Sequence, residues 1–165
     1  NKFEINSVFF YREDDNAIIL PDYITYRNAD ETLIAKGVET GIKINAIEGL
    51  GIKLGHTFTY KSADIDYIPK NKFTALLETN SIKNTYLSLR FKNISKRTYF
   101  HQWGTGSDIE FDAYNLVDLY ASHNLIKDRL SLFVQVNNVF NEDYVETMGY
   151  TTLGRNFKIG LDFNF

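Results

Sequence analysis

Apolar and polar residues alternate with a period of two along most of the chain. Between Leu130 and Phe140, the residues Leu130, Leu132, Val134, Val136 and Phe140 share one parity, interrupted by Asn138, while Ser131, Gln135 and Asn137 hold the other. Leu50, Ile52, Leu54, Phe58 and Tyr60 oppose Gly51, Lys53, Gly55, Thr57, Thr59 and Lys61 in the same way. Ile34, Val38, Ile42, Ile44 and Ala46 oppose Ala35, Gly37, Glu39, Gly41, Lys43 and Asn45, and Leu87, Leu89 and Phe91 oppose Tyr86, Ser88, Arg90 and Lys92. Weaker versions run from Phe3 to Tyr11, Phe73 to Thr79 and Ala113 to His123, and a strict one closes the chain in KIGLDFNF, Lys158 to Phe165. Period two is the side-chain repeat of a strand, so the pattern predicts about eight strands and no helix. Each is about ten to thirteen residues long, more than the five or six usual in soluble sheets and enough for a tilted strand to cross a bilayer.

The connections alternate between short and long. Short ones fall near Glu48 and Gly49, Asn80 to Asn84, and Ile126 to Asp128; long ones span Asp14 to Glu31, Ser62 to Asn71, Lys96 to Asp112 and Asn141 to Gly154. That asymmetry predicts an all-β fold: an antiparallel up-and-down transmembrane β-barrel segment with its short turns on the periplasmic side. In such a wall Phe157, Ile159, Leu161, Phe163 and Phe165 face lipid, and Lys158 and Asp162 face the lumen. A slip of one residue would put both charges in lipid, where a lysine near the midplane costs about 2–4 kcal/mol. Two residues spoil the outward faces. Lys36 lies near the loop end of its strand and can snorkel to headgroups, and His56 sits in mid-strand as a neutral imidazole.

Composition then removes several function classes. The 165 residues carry 18 Lys+Arg against 21 Asp+Glu, a formal charge of −3 that argues against a nucleic-acid partner. No cysteine is present, so neither a disulfide nor a thiolate site is possible. The 13 Phe and 11 Tyr favour strands, and no apolar run is long enough for a membrane helix. The first residues, NKFEINSVFF, lack the layout of an export signal, which leaves a mature, truncated or cytosolic chain.

The stretch NNVFNEDYVETMGYTTLGRNFKIGLDFNF, Asn137 to Phe165, resembles the C-terminal end of TonB-dependent outer-membrane receptors. The matching residues are Asn138, Val139, Phe140, Asn141 and Tyr144, then Gly154 and Arg155; Val139 stands where the family more often has Leu. Tyr114 to Ser122 resembles the preceding strand of that family. Glu146 to Arg155 is similar to the cobalamin receptor branch. The resemblance is strong over the final fifty residues and loose over residues 1 to 110. It implies that residues 1–165 are the C-terminal part of a 22-stranded barrel whose plug and earlier strands lie outside this chain. It further implies TonB-dependent import of a scarce nutrient, cobalamin or a metal chelate such as a siderophore. The implied partners are outer-membrane lipid, the remaining strands and plug, TonB and a small-molecule ligand. Lys158, Gly160, Phe163 and Phe165 fit an assembly signal for the barrel-assembly machinery. Rival readings are a complete eight-stranded structural barrel, a client segment of that machinery, and a soluble binding module.

Chemistry beyond binding has little support. His56, His101 and His123 fall on separate elements without metal-ligand spacing, and no nucleophile elbow, acid/base pair or phosphate loop appears. No catalytic residue, metal or cofactor is therefore expected. Asp108, Glu110 and Asp112 beside His101, and Asp14 with Asp15, are solvated loop acids; Asp118 faces the lumen and bonds to neighbouring strands or a plug. Function on a rigid scaffold concentrates in loops. Tyr67, Tyr99, Phe100, Trp103, Tyr144 and Tyr150 lie in or beside the long connections. Trp103 and Tyr150 are the foremost ligand contacts, followed by Tyr144 and Tyr67.

Overall fold

A computed structural model describes residues 2–19, 25–62, 67–99 and 107–164. These form twelve strands and no helix: β1 (Phe3–Asp14), β2 (Ile18–Ile19), β3 (Arg27–Asn28), β4 (Leu33–Ile47), β5 (Leu50–Lys61), β6 (Asn71–Thr79), β7 (Thr85–Ile94), β8 (Arg97–Tyr99), β9 (Ile109–Phe111), β10 (Tyr114–Ile126), β11 (Leu130–Asn137) and β12 (Asn156–Phe163). Eight of them build one antiparallel sheet in the order β1-β4-β5-β6-β7-β10-β11-β12. The other four make two small hairpins, β2 with β3 and β8 with β9, set inside long connections. Two or three residues of alternation are too few to register as a period, and sequence reasoning leaves these hairpins as loop.

The eight wall strands coincide with the eight alternating segments. At the short turns, Gly49, Asn84 and Asp128 take positive φ (78°, 60° and 59°), the region open to Gly and tolerated by Asn and Asp. β11 ends earlier than its periodicity predicts. Asn138, the residue that breaks the parity, has φ 52° and turns the chain off the ladder before Phe140. At the other end of the sheet β12 is extended by Asn164, whose N–H donates to the Arg129 carbonyl at 2.9 Å. Phe165 lies outside the described residues.

Register puts one kind of side chain on each face. Ile5, Ile42, Leu54, Ala75, Phe91 and Val117 are successive cross-strand partners on one side. Asn6, Gly41, Gly55, Thr74 and Lys92 are successive partners on the other. Nothing packs on the apolar side: no described side chain is fully buried, and Phe9 and Ile159 are 79% and 74% exposed. A soluble sandwich would cover that face with a second sheet. A single layer with its apolar face bare is a membrane wall, and the apolar face is the one that meets lipid. The sheet is open, with β1 and β12 at opposite edges rather than paired to each other.

Several polar groups on the outward face are paired within the wall. Asn93 Nδ2 donates to Asn115 Oδ1 (2.8 Å) toward the long-connection end, and Thr85 Oγ1 lies 2.8 Å from His123 Nδ1 at the short-turn end. Between them stand Leu87, Leu89 and Phe91 against Ala121, Leu119 and Val117. The two polar pairs are about 26 Å apart along the strand, or about 20 Å in height after tilting, close to the band expected of a barrel. Ser7 Oγ and Thr40 Oγ1 lie 3.1 Å apart, and His56 Nε2 is 3.1 Å from Asn71 Oδ1. The His56 ring thus has a polar partner on the neighbouring strand, which lowers the cost of placing it on the lipid face.

On the inner face Lys53 pairs with Glu78 at 2.6 Å, Glu78 accepts from the Tyr86 hydroxyl, and Tyr86, Tyr120 and Phe133 continue the row as ring contacts about the same height. The row ends where the Phe133 ring lies over Gly160.

Close approach explains Gly37. A Cβ there would stand 2.0 Å from the Phe58 carbonyl oxygen, a backbone group fixed in the ladder, whereas a Cβ on Gly55 would meet only the rotatable Thr74 hydroxyl at 2.7 Å. Gly37→Ala is expected to cost about 1–3 kcal/mol, read as a lower urea midpoint of the folded barrel in detergent, with Gly55→Ala costing visibly less. Equal midpoints for the two variants would show that the β4–β5 ladder yields instead.

Candidate functional site

Three of the four long connections meet at one end of the sheet. The β8–β9 hairpin stands on the ends of β7 and β10, where Ile94 and Tyr114 are cross-strand partners and both buried. Tyr67 is tied to that hairpin: its N–H donates to the Thr98 carbonyl at 3.0 Å, and its ring stacks on Tyr99 (5.4 Å) and leans on Phe111 (5.8 Å). The connection after β11 comes back over the inner face. Tyr144 stacks on Tyr114 with centroids 4.4 Å apart, and Glu146 accepts from the Tyr114 hydroxyl at 3.0 Å and lies 3.5 Å from Lys92 Nζ. Lys92 is on the lumenal parity, so this loop narrows the mouth of the lumen rather than standing away from it.

Arg97 joins the pieces. It is 6% exposed, its Nη2 donates to the Val145 carbonyl (2.7 Å) and Nη1 to that of Glu146 (3.4 Å), and its guanidinium lies over the Tyr114 and Phe111 rings at 5.0 and 5.9 Å. A planar, permanently charged fork that stacks and donates at once suits this position, which a lysine would not fill. Met148 N–H donates to the Tyr67 hydroxyl at 3.3 Å and closes the ring of contacts.

The reversal after β11 is built by two asparagines. Buried Asn138 takes the Glu142 N–H on Oδ1 and gives Nδ2 to the Glu142 carbonyl, both at 2.8 Å, while its own N–H donates to Asp118 Oδ1 at 3.0 Å. Asn141 Oδ1 accepts from the Arg155 N–H at 2.8 Å, and Arg155 Nη1 donates to the Val139 carbonyl at 3.3 Å. The Asn-Val-Phe-Asn and Gly-Arg stretches are therefore the two feet of one loop. Asp118 faces the lumen and anchors that loop.

Residues 1–139 match the family model described as TonB dependent receptor-like, beta-barrel. The chain belongs to the TonB-dependent receptor β-barrel family. These are bacterial outer-membrane proteins, so the short turns are periplasmic and the loop cluster is extracellular. The family match takes in the part of the chain where the motif resemblance is loose and ends about halfway through the final fifty residues, where it is strong. No curated protein matches the sequence significantly. Among solved structures, the chain is similar to the pyoverdine receptor FpvA of Pseudomonas aeruginosa (TM-score 0.79, 19% identity), covering 99% of this chain and 25% of that one. It is similar also to the FrpB iron transporter of Neisseria meningitidis (0.79, 21%; 99% and 28%) and to the ferric-catecholate import receptor Fiu of E. coli K12 (0.75, 18%; 99% and 25%). The chain thus spans about a quarter of the length of these structures.

In this receptor wall the four aromatic ligand candidates part company. Tyr67 and Tyr144 lie in the Arg97 cluster as struts between loops. Burial, reinforced by the Glu146 and Asp118 carboxylates, raises the Tyr144 phenol above its ordinary range and keeps it protonated. Tyr150 stands apart, its ring 74% exposed. Trp103, with His101 and Phe100, lies outside the described residues. The loop acids are engaged locally: Glu110 and Asp112 pair with Lys96, Asp14 with Arg12, and Asp15 accepts from Thr32 at 2.5 Å. Among the described residues no group of three His, Asp or Glu side chains is placed to hold a metal. Sequence reasoning missed Arg97 and Tyr114, which carry no local signal. Asn138 did carry one, its break in the alternation.

Asn138→Ala would leave both backbone groups of Glu142 without their partners, at about 1–3 kcal/mol. Hydrogen exchange of the assembled receptor is expected to quicken from Val139 through Met148 and to stay unchanged in β4 and β5.

Proposed function

We propose that this chain supplies wall and extracellular mouth to a receptor that imports a ferric chelate by a TonB-dependent route. The observation that carries this reading is the locking of three long loops into one Arg97-centred cluster above a polar lumenal face. Such a frame holds a recognition surface in place without ordering it anew for each ligand. The solved structures with this fold, a pyoverdine receptor, an iron transporter and a ferric-catecholate import receptor among them, support the choice of ligand class. The resemblance of Glu146 to Arg155 to the cobalamin branch weighs less, because Glu146 and Arg155 are spent on holding the loop.

On this reading the open edges of β1 and β12 pair with the remaining strands of the same barrel, since lipid cannot satisfy free ladder groups. The inner row from Lys53 to Phe133 faces the plug, and TonB displaces that plug to admit the ligand. β12, through Lys158, Gly160, Phe163 and Phe165, presents the assembly signal to the barrel-assembly machinery. Ligand contact falls first to Tyr150 and Trp103, with Tyr144 and Tyr67 behind them.

The test is retention of visible absorbance after gel filtration of the purified receptor with ferric hydroxamates, ferric catecholates or cyanocobalamin. A ferric chelate is expected to co-elute; retention of cyanocobalamin alone would overturn the assignment. Tyr150→Ala is expected to weaken chelate binding about tenfold, the size of one aromatic contact, with assembly unchanged.

A further inference from the structure

A polar depression lies in the lumenal wall below the loop cluster, and the lean of one tyrosine creates it. Tyr120 on β10 has Ser88 and Gln135 as its cross-strand partners. Its ring does not stay at their level. It contacts the rings of Tyr86 and Phe133, with centroids 6.1 Å from each, and these two residues are the partners of Ser122, one lumenal position nearer the short turns. The small Ser88 side chain cannot fill the level that the ring has left, and a depression of about 270 Å³ opens there.

The walls of the depression are polar. Arg90 stands one lumenal position beyond Ser88 toward the mouth; it is exposed, and among the described residues it makes no ion pair. Its cross-strand partner Asp118, the one carboxylate among the described lining residues, is turned to the loop instead, where Oδ1 accepts the Asn138 N–H at 3.0 Å. Gln135 and Asn137 close the far side as half-buried amides, Gln135 Nε2 donating to Asn137 Oδ1 at 2.7 Å. Lys158, the β12 partner of Gln135, adds a second cation to the same lumenal face.

Size and place limit the occupant. A site that encloses a drug-sized molecule has about 300–1,000 Å³, so this depression takes a single ring and not a whole chelate. Arg90 is two positions below Lys92 on the same face, about 7 Å away, and Lys92 is the lumenal side chain that meets Glu146 of the mouth loop. A group leaving the mouth along this wall therefore reaches Arg90 next. Aromatic rings beneath, a guanidinium above and amides at the side complement a planar ring that carries negative charge on its oxygens.

We propose that this depression is a lumenal subsite for one catecholate ring of the ferric chelate in transit, with the ring against Tyr120 and Tyr86 and its oxygens toward Arg90. The subsite rests on the reading of the chain as part of a ferric-chelate receptor.

The experiment is equilibrium dialysis of protocatechuate, a single catechol ring with one carboxylate, against the intact receptor in detergent, with acetohydroxamate as the control that lacks a ring. Protocatechuate is expected to bind and acetohydroxamate not. Arg90→Gln is expected to weaken protocatechuate about tenfold, and Ser88→Leu, which fills the depression, to abolish its binding. In cells, both variants are expected to slow uptake of a radiolabelled ferric tris-catecholate about fivefold. Undiminished protocatechuate binding in both variants, equal binding of acetohydroxamate, or uptake at the unaltered rate would overturn the subsite. Entry of vancomycin into cells carrying the variants, with protocatechuate binding unaltered, would assign the depression to a plug contact and overturn it equally. Should Ser88→Leu fail to assemble, Arg90→Gln decides alone. Retention of ferric chelate by the unaltered receptor is read on the same preparation, so a failure of the transport reading shows there and a failure of the subsite in the variants.

Discussion

A wall in lipid has no water to complete its hydrogen bonds, and that constraint governs the rest of this molecule. It requires every wall strand to be paired along its length, which is why eight long strands form one continuous ladder with bulges only near the turns. Pairing then locks parity, because a ladder that shifts by one residue turns every side chain to the wrong side. The same constraint reaches the side chains. Ser7 with Thr40, His56 with Asn71 and Asn93 with Asn115 satisfy one another on a face where no solvent can.

Beyond the band the constraint relaxes, and the chain changes character. Above the rim, loops replace ladder pairing with side-chain anchors: the Asn138 bridge to Glu142, the Asn141 acceptor for Arg155, and the Arg97 fork on two carbonyls. These anchors bury the polar and aromatic groups that the wall leaves exposed. The buried residues among those described are Ala29 in the first long connection and Ile94, Arg97, Phe111, Tyr114 and Asn138 around the mouth. Among the described residues the nearest thing to a core is therefore the scaffold of the loop cluster.

How much was legible follows from range. Strand parity is a local property, and it identified all eight wall strands and the loop asymmetry. It overran at Phe140, because nothing in the alternation says that a single Asn will adopt a left-handed conformation. The aromatic loop residues were all visible as candidates, but parity could not divide struts from free rings. Tyr67 and Tyr144 became struts through partners 30 or more positions away on other elements, Tyr99 and Tyr114 among them, and Tyr150 kept its ring outside that cluster.

By itself the sequence determined an all-β membrane wall, its strand count, its two faces and which end carries the loops, because hydrophobic alternation encodes burial one residue at a time. Only the tertiary structure decided that three loops share one cluster and that His56 is paired across strands. Those facts depend on register between strands remote in sequence, which no local periodicity records. It also decided that the sheet stays open, since edge pairing is a property of neighbours and not of any one strand.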